Sequence, residues 1–179
     1  GHTGYFAGAF VYLFHLALFF FITGYFYNET KYGDTPFLYF GSRLAGAWPR
    51  DMFYTLFFVL LHNFFVTHRL YAGQELYNHT RMLTAWMSSL SFNSPEQVQG
   101  ALWFLPVWLV SSGLFAGCVW FGLAAARFTR KDNVKLPVCA FACILIGLAG
   151  VFLNMRSCPL PYNLQAALLV VPVYLIAWL

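Results

Sequence analysis

An apolar run of about 20 residues near the start of the chain, Gly8–Tyr27, most limits what this sequence can fold into. A helix of that length covers about 30 Å, which is the hydrocarbon thickness of a bilayer. His15 is the run's one acidic or basic side chain, and its aromatic side chains would point to every face of a helix. A helix at the surface of a soluble core keeps one polar face. The run therefore predicts a transmembrane helix.

Further apolar runs follow, and together they predict an all-α, polytopic transmembrane helical bundle. Charged residues make up 9% of the chain, against about a quarter in soluble domains. We expect one membrane domain over 1–179, in contact with the lipid bilayer and without a sheet, whose open edges lipid cannot satisfy. The net charge of +4 is dispersed over loops, which argues against a nucleic-acid partner. The predicted spans, about five in number, are Gly8–Tyr27, Met52–Val66, Ala101–Ala126, Leu136–Leu153 and Tyr162–Leu179.

The basic residues of the connecting segments predict the orientation of these spans. Lysine and arginine concentrate in 28–50 and 127–135, whereas 67–100 and 154–161 carry few. Cytoplasmic loops carry the excess of basic residues, so we expect the first pair of segments to be cytoplasmic and the second pair to be external. The chain begins at Gly1-His2 and ends inside an apolar run, so we also expect further spans on either side.

Two of the connecting segments contain short helical patterns. From Pro36 the sequence favours a helix lying in the membrane interface, which Trp48-Pro49 is expected to close before the span that begins at Met52. His62-Asn63, near the end of that span, is expected to mark the interface, although it could also face the bundle. In the long loop 67–100, Arg81–Leu90 is predicted to form an amphipathic helix.

The cysteines and one glycine pair give weaker signals. Cys118, Cys139 and Cys143 lie in apolar runs, where cysteine is usually a small hydrophobe, so we predict neither a disulfide framework nor a metal site. Cys158, in a short loop, is the plausible reactive thiol. Gly113 and Gly117 form a G-x-x-x-G pair, which indicates a surface that another helix can approach closely.

Three segments resemble a known family. They are Gly1-His2 followed by FHLALFFFITGY at 14–25, Ser42-Arg43-Leu44, and LWFLP at 102–106. In this order they are similar to motifs of membrane acyltransferase family 3, especially its fucose 4-O-acetylase-like branch. Ala17 stands where the family usually has proline, and Thr23 where it has serine. The resemblance implies a bacterial inner-membrane enzyme that moves an acyl group, usually acetyl, from acyl-CoA to a hydroxyl of a sugar, polysaccharide or other cell-envelope acceptor.

The chemistry of O-acylation indicates which residues would act. The attacking hydroxyl must lose a proton, and a histidine with a pKa near about 6.5 suits that step at neutral pH. The resemblance favours His2, at a membrane boundary, as the general base. His15 is predicted either as a group along the acyl route or as a structural histidine. Arg43 and Arg50 are predicted to bind the phosphates of the CoA donor. The alternative for both arginines is a role in orientation only.

Two other functions fit the same composition. A multi-span transporter or flippase of envelope precursors would also carry polar residues in its spans and a long external loop. Such a protein usually shows inverted repeats and broken helices, and this sequence shows no internal repeat. A membrane scaffold without catalytic activity is the third interpretation.

Overall fold

The computed structural model describes residues 17–71, 73–93, 96, 104–156 and 160–179, and within these ranges every regular element is a helix. Helix α1 is described over 17–25. The other helices are α2 (Glu29–Tyr32), α3 (Pro36–Thr67), α4 (His79–Ser88), α5 (Phe104–Thr129), α6 (Lys135–Met155) and α7 (Leu164–Trp178). Short 3₁₀ turns cover Ser89–Ser91, Asp132–Val134 and Pro161–Asn163. The prediction of an all-helical fold is confirmed for this part of the chain, and α4 matches the predicted amphipathic helix.

Three helical segments are long and apolar enough to cross a membrane: Phe104–Thr129, Asp132–Met155 and Pro161–Trp178. They are the predicted spans that start at Ala101, Leu136 and Tyr162, shifted by a few residues. Such helices are those of an integral membrane protein. The predicted span Gly8–Tyr27 begins outside the described residues, and its described part, 17–25, is helical.

The predicted break at Trp48-Pro49 is wrong. Helix α3 runs without interruption through 32 residues, with Pro49 inside it. Proline removes one backbone donor and crowds the preceding turn, but the flanking residues are fixed by packing. Ala47 and Asp51 are buried, and the indole N–H of Trp48 donates to the Leu90 carbonyl at 3.2 Å. These contacts keep the helix continuous where local propensity favours a stop.

The apolar stretch of α3 is shorter than those of the three spanning segments. It begins after Arg50 and Asp51 and ends before His68 and Arg69. The polar pair His62-Asn63 lies within it. For these reasons Met52–Val66 is not among the described segments that meet the length and composition of a span. Two of the five predicted spans, Gly8–Tyr27 and Met52–Val66, therefore stay predictions.

The chain divides into two compact units, 1–40 with 107–179, and 41–106. In the first unit, which we call unit one, α6 and α7 pack against each other at glycines. A Cβ atom at Gly150 of α6 would lie 2.8 Å from the backbone nitrogen of Leu169 of α7. Helix α1 also packs against α7 at a glycine, since a Cβ atom at Gly24 would lie 2.7 Å from the carbonyl oxygen of Tyr174. Small residues at such positions let membrane helices approach closely.

Two ion pairs join the two predicted cytoplasmic segments within unit one. Lys135 Nζ lies 2.8 Å from the Glu29 carboxylate, and a guanidinium nitrogen of Arg127 lies 2.6 Å from that of Asp34. The Arg127 guanidinium holds the pKa of Asp34 below its usual value, so Asp34 is ionised at neutral pH. The segment around α2 and the α5–α6 connector therefore lie at the same end of unit one, as two segments on one side of a membrane must.

Candidate functional site

Of the predicted site residues, the two arginines lie among the described residues and the two histidines do not. His2 and His15 lie outside the described residues. Arg43 and Arg50 both lie on α3, where Arg43 is half-buried and Arg50 is exposed. Because α3 is continuous, seven residues separate them by about two turns, or roughly 10 Å, and bring them to nearly the same face. A broken helix would have left their relative placement open.

Phe19 and Thr23, which belong to a segment that carries the family resemblance, contact α5 within unit one. The indole N–H of Trp108, on α5 just after the LWFLP segment, donates to the Thr23 hydroxyl of α1 at 3.1 Å. The Phe19 and Trp108 ring centroids are 5.9 Å apart. Thr23 is buried, and its hydroxyl also donates to the Phe19 carbonyl at 2.9 Å. The Trp108 side chain is half-buried. The hydrogen bond from its indole N–H to Thr23 holds α1 against α5.

A buried histidine–carboxylate pair lies in the second unit, 41–106. His62 on α3 and Glu96 in the long loop are 1% and 3% exposed. The Nδ1 atom of His62 lies 2.9 Å from Glu96 Oε2, and its Nε2 atom lies 3.0 Å from the Glu75 carbonyl oxygen. Of the two placements expected for His62-Asn63, the burial of His62 agrees with a side chain that faces the protein interior. Its position relative to the membrane interface stays a prediction. The pair ties three distant parts of the sequence together.

The hydrogen bonds of His62 fix the proton count of the pair. A carbonyl oxygen can only accept, so Nε2 must carry a hydrogen. The contact between Nδ1 and Oε2 holds one further proton, either on the ring as imidazolium or on Glu96 as the neutral acid. Both arrangements leave the pair neutral overall. Removing one partner would leave the other as a buried polar group without compensation.

Aromatic and amide groups hold the long loop around this pair. The Tyr77 ring stacks on the His62 ring with centroids 3.5 Å apart, and the Tyr71 ring meets it edge-on at 5.4 Å. The Asn63 side chain donates to the Tyr77 carbonyl at 2.8 Å and accepts from the Tyr77 N–H at 2.7 Å. Burial and the nearby Glu96 charge raise the pKa of the Tyr77 phenol, which therefore stays neutral. His62-Asn63 is the point at which the loop is fastened to α3.

The same face of α3 carries further buried polar side chains. Asp51 and Thr55 are 3% and 0% exposed, and they share a face because they are one turn apart. Oδ2 of Asp51 and Oε1 of Glu96 lack a hydrogen-bond partner among the described residues. Buried polar atoms are normally bonded to protein or water. These two oxygens are therefore positions for water, a proton or a cation.

His62 is not placed to act as a general base in this conformation. A base must present a free ring nitrogen to the substrate proton, and both ring nitrogens of His62 are engaged within the protein. Its role here is to position the long loop. The sequence could have indicated a buried face, since Asp51, Thr55 and His62 recur at helical spacing. It could not have indicated Glu96, because the surrounding loop has no periodic pattern.

Three of the four cysteines lie among the described residues. Cys118, Cys139 and Cys143 are buried, reduced thiols inside the spanning helices, as expected for small hydrophobic residues. Cys158 lies outside the described residues. The described ranges hold no group of three or more His, Cys, Asp or Glu side chains that could bind a metal ion.

No protein-family model, no curated protein and no solved structure matches this chain. The resemblance to the acyltransferase family is therefore carried by the three sequence segments.

Proposed function

We propose that this protein is a membrane O-acyltransferase of the bacterial inner membrane. It would move an acetyl or other acyl group from acyl-CoA to a hydroxyl of a sugar, polysaccharide or other envelope acceptor. The observation that supports this best is the contact of Trp108 with Thr23 and Phe19. Thr23 and Phe19 belong to the FFFITGY segment, and Trp108 lies two residues after the LWFLP segment in the sequence. Segments that share a catalytic site are expected to be neighbours in the fold.

The proposed donor site uses Arg43 and Arg50. Acyl-CoA carries several phosphates, and a guanidinium can bind a phosphate through two parallel hydrogen bonds. The continuous helix α3 brings both arginines to nearly one face about two turns apart, which suits two separate phosphate groups. The thioester arm of the donor extends from those phosphates.

The proposed reaction uses His2 as the general base. Its neutral imidazole takes the proton of the acceptor hydroxyl while the oxygen attacks the thioester carbonyl carbon. The C–S bond breaks, the acyl group forms an ester with the acceptor, and the CoA thiolate takes the proton back from His2. His15, deeper in the same segment, either lines the acyl route or holds a neighbouring helix.

A transfer assay in reconstituted vesicles tests the proposal. The full chain is placed in liposomes with [¹⁴C]acetyl-CoA on one side and an envelope polysaccharide on the other. We expect labelled ester on the polysaccharide and an equal amount of free CoA. Repeating the assay with a long-chain acyl-CoA defines the donor. Hydrolysis of acetyl-CoA without labelled acceptor, or no release of CoA at all, would contradict the proposal.

A transporter or flippase of envelope precursors is the second candidate. It is favoured by the buried polar face of α3, with Asp51 and His62, because ionisable groups buried in membrane proteins often mark substrate or proton pathways. In the same vesicles, a transporter would move the unmodified precursor across the bilayer in the absence of acyl-CoA. Movement without any ester formation would favour this candidate over the acyltransferase.

A further inference from the structure

A groove of about 1010 Å³ lies in unit one between the start of α3, α5 and α6. This volume is at the upper end of the range of about 300–1,000 Å³ for small-molecule sites. Phe37, Leu114, Trp120 and Ile146 are among the side chains that make its wall apolar. Its polar lining residues, Asp34 and Thr35, are consecutive and so lie at one end.

The G-x-x-x-G pair of α5 shapes the floor of this groove. A Cβ atom at Gly113 would come 2.8 Å from the Phe40 ring, so that glycine makes room for Phe40. A Cβ atom at Gly117 would meet nothing within 4 Å. Among the described residues, Gly117 therefore faces open space and not a packed helix. Since α5 and α6 have the length and composition of spans, this space lies at the depth of lipid hydrocarbon.

The polar end of the groove has the chemistry of a headgroup region. Arg127 pairs with Asp34 there, so its charge is offset. The exposed Arg130 and Lys131 follow within one turn of chain, beside the single acidic residue Asp132, and supply the remaining positive charge. Lys135 lies 5.3 Å from the centre of the Trp178 ring. Tryptophan and basic side chains concentrate where a helix leaves the hydrocarbon, and clustered basic residues at that level attract anionic lipid phosphates.

We propose that this groove binds one anionic phospholipid. Its acyl chain lies against Gly117, and its phosphate lies beyond the Arg127–Asp34 pair, at the exposed Arg130 and Lys131. An apolar wall at hydrocarbon depth that leads to a basic end matches the two parts of such a lipid in order. The proposal does not depend on the acyltransferase reaction, since none of these residues belongs to the proposed catalytic or donor site.

Native mass spectrometry of the purified full chain with added phosphatidylglycerol tests this proposal. Gly117→Leu should fill the groove without a clash, because the added side chain enters open space. We expect about one phosphatidylglycerol per wild-type chain, and binding that is weaker by about tenfold or more in the variant as apolar contact area is lost. Gly46→Leu is the control, since Gly46 is an exposed helical glycine that, like the half-buried Gly117, has nothing within 4 Å of its Cβ position. It should bind the lipid like the wild type.

The outcomes separate the possible occupants. Equal retention by wild type and Gly117→Leu would overturn the proposal, and so would binding of phosphatidylcholine as tight as that of phosphatidylglycerol. A dimer that dissociates in Gly117→Leu without any lipid change would assign the groove to a second copy of the chain instead. If Gly117→Leu does not fold, Ala142→Leu on the opposite wall tests the same space from α6. A folded Ala142→Leu variant with unchanged lipid binding would also refute the proposal.

Discussion

The His62 side chain is held by two hydrogen bonds, to Glu96 and to the Glu75 carbonyl, and by the stacked Tyr77 ring. His62→Ala leaves the Glu96 carboxylate buried without its partner. Breaking a buried pair in this way costs about 3–5 kcal/mol. We expect the free energy of unfolding in detergent to fall by that order. Glu96→Gln should cost less, because its amide N–H can donate to Nδ1 of a neutral His62 ring.

A double-mutant cycle isolates the interaction itself. The cycle uses His62→Phe alone, Glu96→Met alone and the two together. The double variant should lose far less stability than the sum of its two single variants, because no buried charge is left behind. Chemical unfolding of the four proteins gives the coupling energy. Simple additivity would show that the 2.9 Å contact contributes nothing measurable.

Arg43 is the residue on which the donor site depends most. Arg43→Ala should remove a charge-assisted phosphate contact and weaken acyl-CoA binding by roughly 1.5–3 kcal/mol, while acceptor binding changes little. Isothermal titration with CoA measures this, and Arg156→Ala is the control because Arg156 is an exposed basic residue outside α3. If only the amount of protein falls and the affinity of the remainder is unchanged, Arg43 serves in orientation.

The bounds of most helices were predictable from the sequence, but the continuity of α3 was not. The helices α5, α6 and α7 follow from uniform apolar composition and were predicted within a few residues of their observed ends. The continuity of α3 was not predictable from local rules, because packing around Ala47 and Asp51 outweighs the preference of Pro49 for a helix end. The burial of His62 depends on Glu96, 34 residues away, which no local pattern indicates.

The buried Asp51 of α3 leads to a prediction about stability. Its Oδ2 atom is buried without a partner among the described residues, and an ionised carboxylate is costly in such a place. Asp51→Asn keeps the shape and removes the acid, so stability should stay the same or rise slightly. Asp132→Asn, at an exposed position, is the control in thermal unfolding. A large loss of stability would mean that the ionised form of Asp51 is required.

The predicted orientation of the protein in the membrane can be tested by cysteine labelling. Asn93 and Asn133 lie on either side of α5, the spanning helix between them. The distribution of basic residues predicts that Asn133 is cytoplasmic and Asn93 external. In a cysteine-free background, Asn93→Cys should react with an impermeant maleimide in intact cells, and Asn133→Cys only after permeabilisation. The opposite pattern would reverse the orientation and place His2 on the cytoplasmic side.

The rate of acyl transfer by a His2→Ala variant of the full chain tests the proposal that His2 is the general base of an acyltransferase. Loss of a general base lowers a rate by about a hundredfold or more, so transfer from acetyl-CoA should fall by that factor while folding and CoA binding remain. His15→Ala should lose less rate and more stability if its role is structural. His68→Ala, at an exposed histidine, should behave like the wild type. Transfer at the wild-type rate by a folded His2→Ala enzyme would contradict the account.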